Sequence, residues 1–106
     1  MFFHFNQNNS GGFFDIDDDV RQCVIVEADN AEHANDLAQD IGIYFNGISR
    51  GRDCECCGDR WYPVWGNGEQ DYSSDYVASN ADEANVILYL LNGERAYLRD
   101  TTALCY

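Results

Sequence analysis

The chain has 106 residues, 45% of them apolar and 14% aromatic, which is a composition for one folded domain over residues 1–106 and not for a disordered acidic tail. Nineteen carboxylates face six arginines and no lysine, a formal charge of -13 that should repel DNA, RNA and anionic membrane surfaces. That charge suits a basic protein surface, or it serves solubility alone.

The first residues, Met1-Phe-Phe-His-Phe-Asn6, have neither a basic stretch nor an apolar core of a signal peptide, and no apolar run approaches the roughly 20 residues of a membrane helix. A cytosolic setting with reduced thiols is therefore expected, and the odd count of five cysteines fits a disulfide framework poorly. Phe2–Phe5 and Phe13–Ile16 are aromatic-rich runs joined by the Asn/Gly-rich stretch Asn6–Gly12, which predicts a hairpin whose amide-rich loop is a plain turn or a ligand grip. Asp15, Asp17, Asp18 and Asp19 follow as an acidic corner. Valine at positions 20 and 26 excludes an EF-hand loop starting at Asp15.

Gln22–Ala28 is a continuous apolar run and predicts the central strand. Asp29 is placed as the N-cap of a helix, with Glu32 completing a capping-box variant. Ala31, Ala34, Leu37, Ala38 and Ile41 recur at helical spacing, and Gly42 is positioned to end it. At an offset of 50, Asn80-Ala-Asp-Glu-Ala-Asn85 matches Asn30-Ala-Glu-His-Ala-Asn35, each followed later by an Asn-Gly closure (Asn46-Gly47, Asn92-Gly93). The match predicts a second helix. The expected fold is α+β: a small antiparallel sheet, two helices on one face, and a cysteine-rich loop. Trp61–Trp65 reads as a strand or edge, Gly66–Asp75 as an acidic connector, Glu94–Arg99 as the last strand, and Thr101–Tyr106 as a tail.

Arg50–Trp65 concentrates the chemistry, with three cysteines, three arginines, both tryptophans and the sole proline in sixteen residues. Cys54-x-x-Cys57-Gly58 has the form of a zinc knuckle, whose two thiolates share one structural zinc. Further ligands would come from Cys56, Cys23, Cys105, His4, His33 or a second copy of the chain, and a half-complete site makes a homo-oligomer worth testing. The alternative is a tight turn with metal-free thiols, and Cys23 read simply as core. Arg50, Arg52 and Arg60, with Trp61, Tyr62 and Trp65, form the one basic and aromatic patch, suited to a nucleotide or to a protein partner. Asp53, Glu55 and Asp59 interleave with these arginines and could neutralise them instead. No nucleotide-cradling, zinc-protease or hydrolase motif occurs, and a Cys57–histidine nucleophile is the only catalytic arrangement left open.

The segments Phe3-His-Phe-Asn-Gln-Asn-Asn-Ser-Gly-Gly12, Val24-Ile-Val-Glu-Ala-Asp29 and Gly51-Arg-Asp-Cys-Glu-Cys-Cys-Gly-Asp-Arg-Trp-Tyr-Pro-Val64 together resemble a family of small uncharacterised tailed-phage proteins. The resemblance covers residues 1–65 and carries no functional residue with it. It implies a gene product made in the bacterial host cytoplasm, where small phage proteins often bind and disable a defence component. The leading expectation is thus a non-enzymatic protein that occludes a host factor. A sponge for a nucleotide signal and a small cysteine-dependent enzyme are the alternatives.

Overall fold

The computed structural model describes residues 1–8, 14, 16, 17, 19–53, 55, 58–70 and 76–100. Five strands and one helix are laid out as β1 (Phe2–Asn6), β2 (Cys23–Glu27), α1 (Ala31–Asp40), β3 (Tyr76–Ala78), β4 (Val86–Tyr89) and β5 (Arg95–Asp100). They form one mixed sheet in the order β1-β2-β4-β5-β3. β2 and β4 are parallel (Val24 opposite Ile87), while the other pairings are antiparallel. A parallel pair needs a long crossover, and the connection from Ala28 to Asn85 supplies it with α1 and the cysteine loop.

Side-chain alternation along β2 divides the core. Val24 and Val26 join Phe3, Phe5, Ala34, Ala38 and Trp61 beneath α1. Cys23 and Ile25 point the other way and join Val86, Leu88 and Leu98. No described helix covers that second face, yet these side chains are at most 7% exposed. The sheet itself curls around them. Tyr76 on one edge strand brings its hydroxyl 3.5 Å from Nδ1 of His4 on the other, with ring centroids 6.1 Å apart. Strands lying flat at about 4.8 Å spacing would hold those edges about 19 Å apart. Glu69 extends the closure by pairing its backbone with Phe2 at 2.7 and 2.8 Å.

Several expectations are corrected. The sheet is mixed, and among the described residues only one helix forms. The second helix stops after a single turn: Oδ1 of Asn80 accepts from Asp82 and Glu83, and Ala84 N–H donates to Asn80 O. The next residues take the chain elsewhere, since Val86, Ile87 and Leu88 are fully withdrawn from solvent between β2 and β5. The N-cap of α1 is Asn30, whose Oδ1 accepts from His33 N–H at 2.9 Å, and not Asp29. β1 pairs with β2 in place of the Phe13–Ile16 run, of which Phe14 and Ile16 are described and neither is in a strand. Gly42, at φ +105°, does end α1. Its N–H reaches Gln39 O and that of Ile43 reaches Ala38 O, the paired bonds of a Schellman motif. No helix of the described residues is long and apolar enough to cross a membrane.

A candidate docking loop held by a buried ion pair

The Schellman turn sends Ile43, Tyr44 and Phe45 straight back into the core. Asn46 then takes a left-handed conformation (φ 59°), and the carbonyl of Gly47 accepts from the N–H groups of Arg52 and Asp53 at 2.8 and 3.1 Å. A Cβ at position 47 would lie 1.7 Å from Asp53 Oδ2. Only glycine lets that carboxylate sit where it does.

Asp53 is the hub. Its Oδ1 accepts the Tyr44 hydroxyl at 2.8 Å, its Oδ2 accepts the Arg60 N–H at 2.8 Å, and Arg60 Nε lies 3.7 Å from Oδ1. Neither side chain has more than 4% of its surface exposed. The guanidinium also donates to Gln7 Oε1 at 3.0 Å and to the Tyr44 oxygen at 3.3 Å, and Gln7 Nε2 donates to Arg21 O. Burial, then the hydrogen bond to Asp53, raises the Tyr44 pKa, against the opposing pull of Arg60. A buried pair survives desolvation only when the remaining donors and acceptors are met, and here they are met by Gln7, Tyr44 and backbone.

Asp59, Arg60 and Val64 are tied down from both sides. Asn8 donates to Asp59 O at 3.2 Å and its own N–H donates to Arg60 O, while Asp59 Oδ1 accepts from Ile48 N–H. Further on, the Asn35 side chain on α1 exchanges two hydrogen bonds with the backbone of Val64, at 2.9 and 2.8 Å. That carboxamide does what a neighbouring strand would do. Trp61–Trp65 is therefore held without being a strand, another departure from expectation.

The six residues of the predicted patch divide between inside and outside. Arg60 and Trp61 are 3% and 2% exposed and build the loop's interior, so they are not part of a surface patch as expected. Their burial follows from the Asp53 pairing and from the core beneath α1. Arg50 and Arg52 are exposed, with Arg52 stacked 3.8 Å over the Tyr44 ring. Tyr62 is 52% and Trp65 80% exposed. Trp65 borders a shallow groove of ≈ 160 Å³ shared with Phe2, His4 and Glu69.

Cys54, Cys56, Cys57 and Cys105, hence the zinc knuckle, lie outside the described residues. Among the described residues no group of three or more His, Cys, Asp or Glu side chains is placed to hold a metal. Cys23 and His4 sit on the sheet face opposite Trp61, and His33 is on α1. Sequence reasoning missed Gln7 and Tyr44, whose only signals were an amide in a turn-like stretch and an aromatic after a helix stop. It raised pairing of the loop arginines with Asp53, Glu55 or Asp59, but as surface pairs, whereas the Asp53–Arg60 pair is buried.

A family model for a domain of unknown function, DUF7296, matches residues 1–104. The chain belongs to the DUF7296 family. The match spans the loop, its anchors in Gln7 and Asn8, and the whole sheet, so loop and scaffold are parts of one family domain. No curated protein and no solved structure matches the chain.

Proposed function

We propose that this DUF7296 protein is a non-enzymatic binding protein that docks on a protein partner through Tyr62, Trp65 and the flanking Arg50 and Arg52. The observation that carries this is an indole four-fifths exposed on a loop fixed from within by a buried ion pair. Tryptophan, tyrosine and arginine are the side chains that most often dominate protein interfaces, and a loop already fixed before contact loses little entropy on binding. Tyr44, Asp53 and Arg60 bond to one another, which supports a structural task for these three over a catalytic one. The resemblance to phage proteins supplies the setting: a host factor in the bacterial cytoplasm, a defence component, neutralised by stoichiometric occlusion. A nucleotide sponge is less well supported, because Arg60 is committed to Asp53 and Trp61 to the core. Structural zinc on Cys54 and Cys57 is retained as part of the proposal, as a further staple for the same loop.

Affinity capture from bacterial lysate, followed by titration of the captured protein, tests this directly. Wild type should retain one partner at 1:1 stoichiometry, and Trp65→Ala should lose it while its unfolding free energy stays within about 0.5 kcal/mol of wild type. Equal capture by Trp65→Ala would sink the loop as the contact. Thermal stabilisation by cyclic oligonucleotides or ADP-ribose derivatives, lost in Arg52→Ala, would establish the sponge in its place.

A further inference from the structure

We propose that the groove between α1 and the end of β4 is a second docking site, taking a basic segment of a partner protein that carries one bulky apolar side chain. The groove has a volume of ≈ 340 Å³, within the range of side-chain and ligand pockets. Val26, Leu37, Ile41, Tyr89 and Leu91 line it, and Leu37, Ile41 and Tyr89 also pack against the core cluster beneath α1. Leu91 is half exposed there, so apolar surface is open to an incoming side chain.

The charged side chains that line this surface are carboxylates, beside one histidine and the Tyr89 phenol. Glu27, His33 and Asp40 line it, and His33 Nδ1 stands 3.7 Å from Asp29 Oδ2. Glu27 uses one oxygen to accept Leu91 N–H at 3.0 Å. Among the described residues no arginine lines the groove, and the sequence contains no lysine. Arg95 approaches Tyr89 to 5.0 Å but is paired with Asp19 at 3.2 Å. The last turn of α1 has no basic residue and ends in Asp40, so a carboxylate sits at the negative end of the helix dipole. That arrangement is electrostatically unfavourable within the isolated protein. A lysine or arginine from outside relieves it while its apolar neighbour enters the groove. The Trp65 surface has the opposite chemistry, rings beside arginines, so the two surfaces select different segments.

The test is an NMR titration of the full-length ¹⁵N-labelled chain with three end-blocked peptides: Lys-Arg-Ser-Trp-Arg-Lys, the serine analogue Lys-Arg-Ser-Ser-Arg-Lys, and the acidic analogue Glu-Asp-Ser-Trp-Asp-Glu. The first should saturate below about 1 mM with shifts centred on Leu37, Ile41 and Leu91, and bind at least about tenfold more tightly than either analogue. Leu91→Ser and Asp40→Lys, both at exposed positions, should each weaken it by about tenfold or more, and Trp65→Ala should leave it unchanged. Equal affinity for the serine analogue, shifts centred elsewhere, loss in Trp65→Ala, or no saturation would each overturn the proposal. Loss in Trp65→Ala would move this peptide to the loop, and the other outcomes leave capture through the loop untouched, so the two surfaces are distinguished.

Discussion

Asp53 and Arg60 meet seven positions apart, inside a turn whose geometry depends on a bare α-carbon at Gly47. Removing one member of a buried pair leaves the other charge unmatched, at about 3–5 kcal/mol, whereas replacing both by apolar groups is often neutral. Arg60→Leu should therefore cost about 3 kcal/mol in urea unfolding, and Arg60→Leu with Asp53→Leu should recover part of it. No recovery in the double variant would mean the loop needs the hydrogen bonds more than charge balance. The alternation of Arg and Asp made some pairing legible, but not which pair: Tyr44 and Gln7 select Asp53 and Arg60 from outside the segment. His4 makes a second residue-scale case. Burial lowers its pKa from 6.5, opposed by the Glu69 carboxylate 3.5 Å from Nε2, and Tyr76 faces its other nitrogen. Its folded pKa being depressed, the unfolded chain takes up the proton first. Stability is then complete above about pH 6.5 and declines as the pH falls toward the lowered value. The drop in urea midpoint between about pH 7.5 and 5.5 should shrink in His4→Phe; an unchanged drop would show that the seam is indifferent to this proton.

Asn30 and Asn80 open with the same chemistry and reach different ends. Each side chain caps the N–H three residues on, and each carbonyl accepts the bond four residues on. After Asn30 the apolar residues return at helical spacing, and ten residues of helix form. After the turn at Asn80–Asn85 the run Val86-Ile-Leu-Tyr-Leu-Leu91 follows, with no polar stripe for a helix to turn toward water. The sheet also competes for the backbone: Ala81 O is taken by the Arg21 guanidinium at 2.9 Å, and Asn85 O by Cys23 N–H. The repeat in the caps was legible as sequence, and the contrast between the two runs after the caps was the signal against a second helix. Asn30→Ala and Asn80→Ala should each cost about 1 kcal/mol, because both remove a cap. Only Asn30→Ala should lower the helical circular dichroism; an equal loss in Asn80→Ala would mean its turn extends further in solution.

Across the whole molecule, nineteen carboxylates oppose six arginines, of which Arg21 and Arg60 are buried. Self-repulsion should therefore limit stability at low salt. Raising NaCl from about 10 to about 150 mM shortens the screening length from about 30 to about 8 Å, and the melting temperature should rise. A flat or falling melting curve would indicate that the carboxylates are too dispersed to matter. Composition and periodicity alone determined the α+β class, a strand within Gln22–Ala28, the helix and its glycine stop, and the segment where arginines and rings collect. Those are local properties, written in side-chain spacing and turn chemistry. Tertiary structure alone decided that β4 inserts parallel to β2, that the sheet curls until His4 meets Tyr76, and which arginines turn inward. Each of these depends on contacts between residues far apart in the chain, where burial and the pairing of backbone groups outweigh local preference.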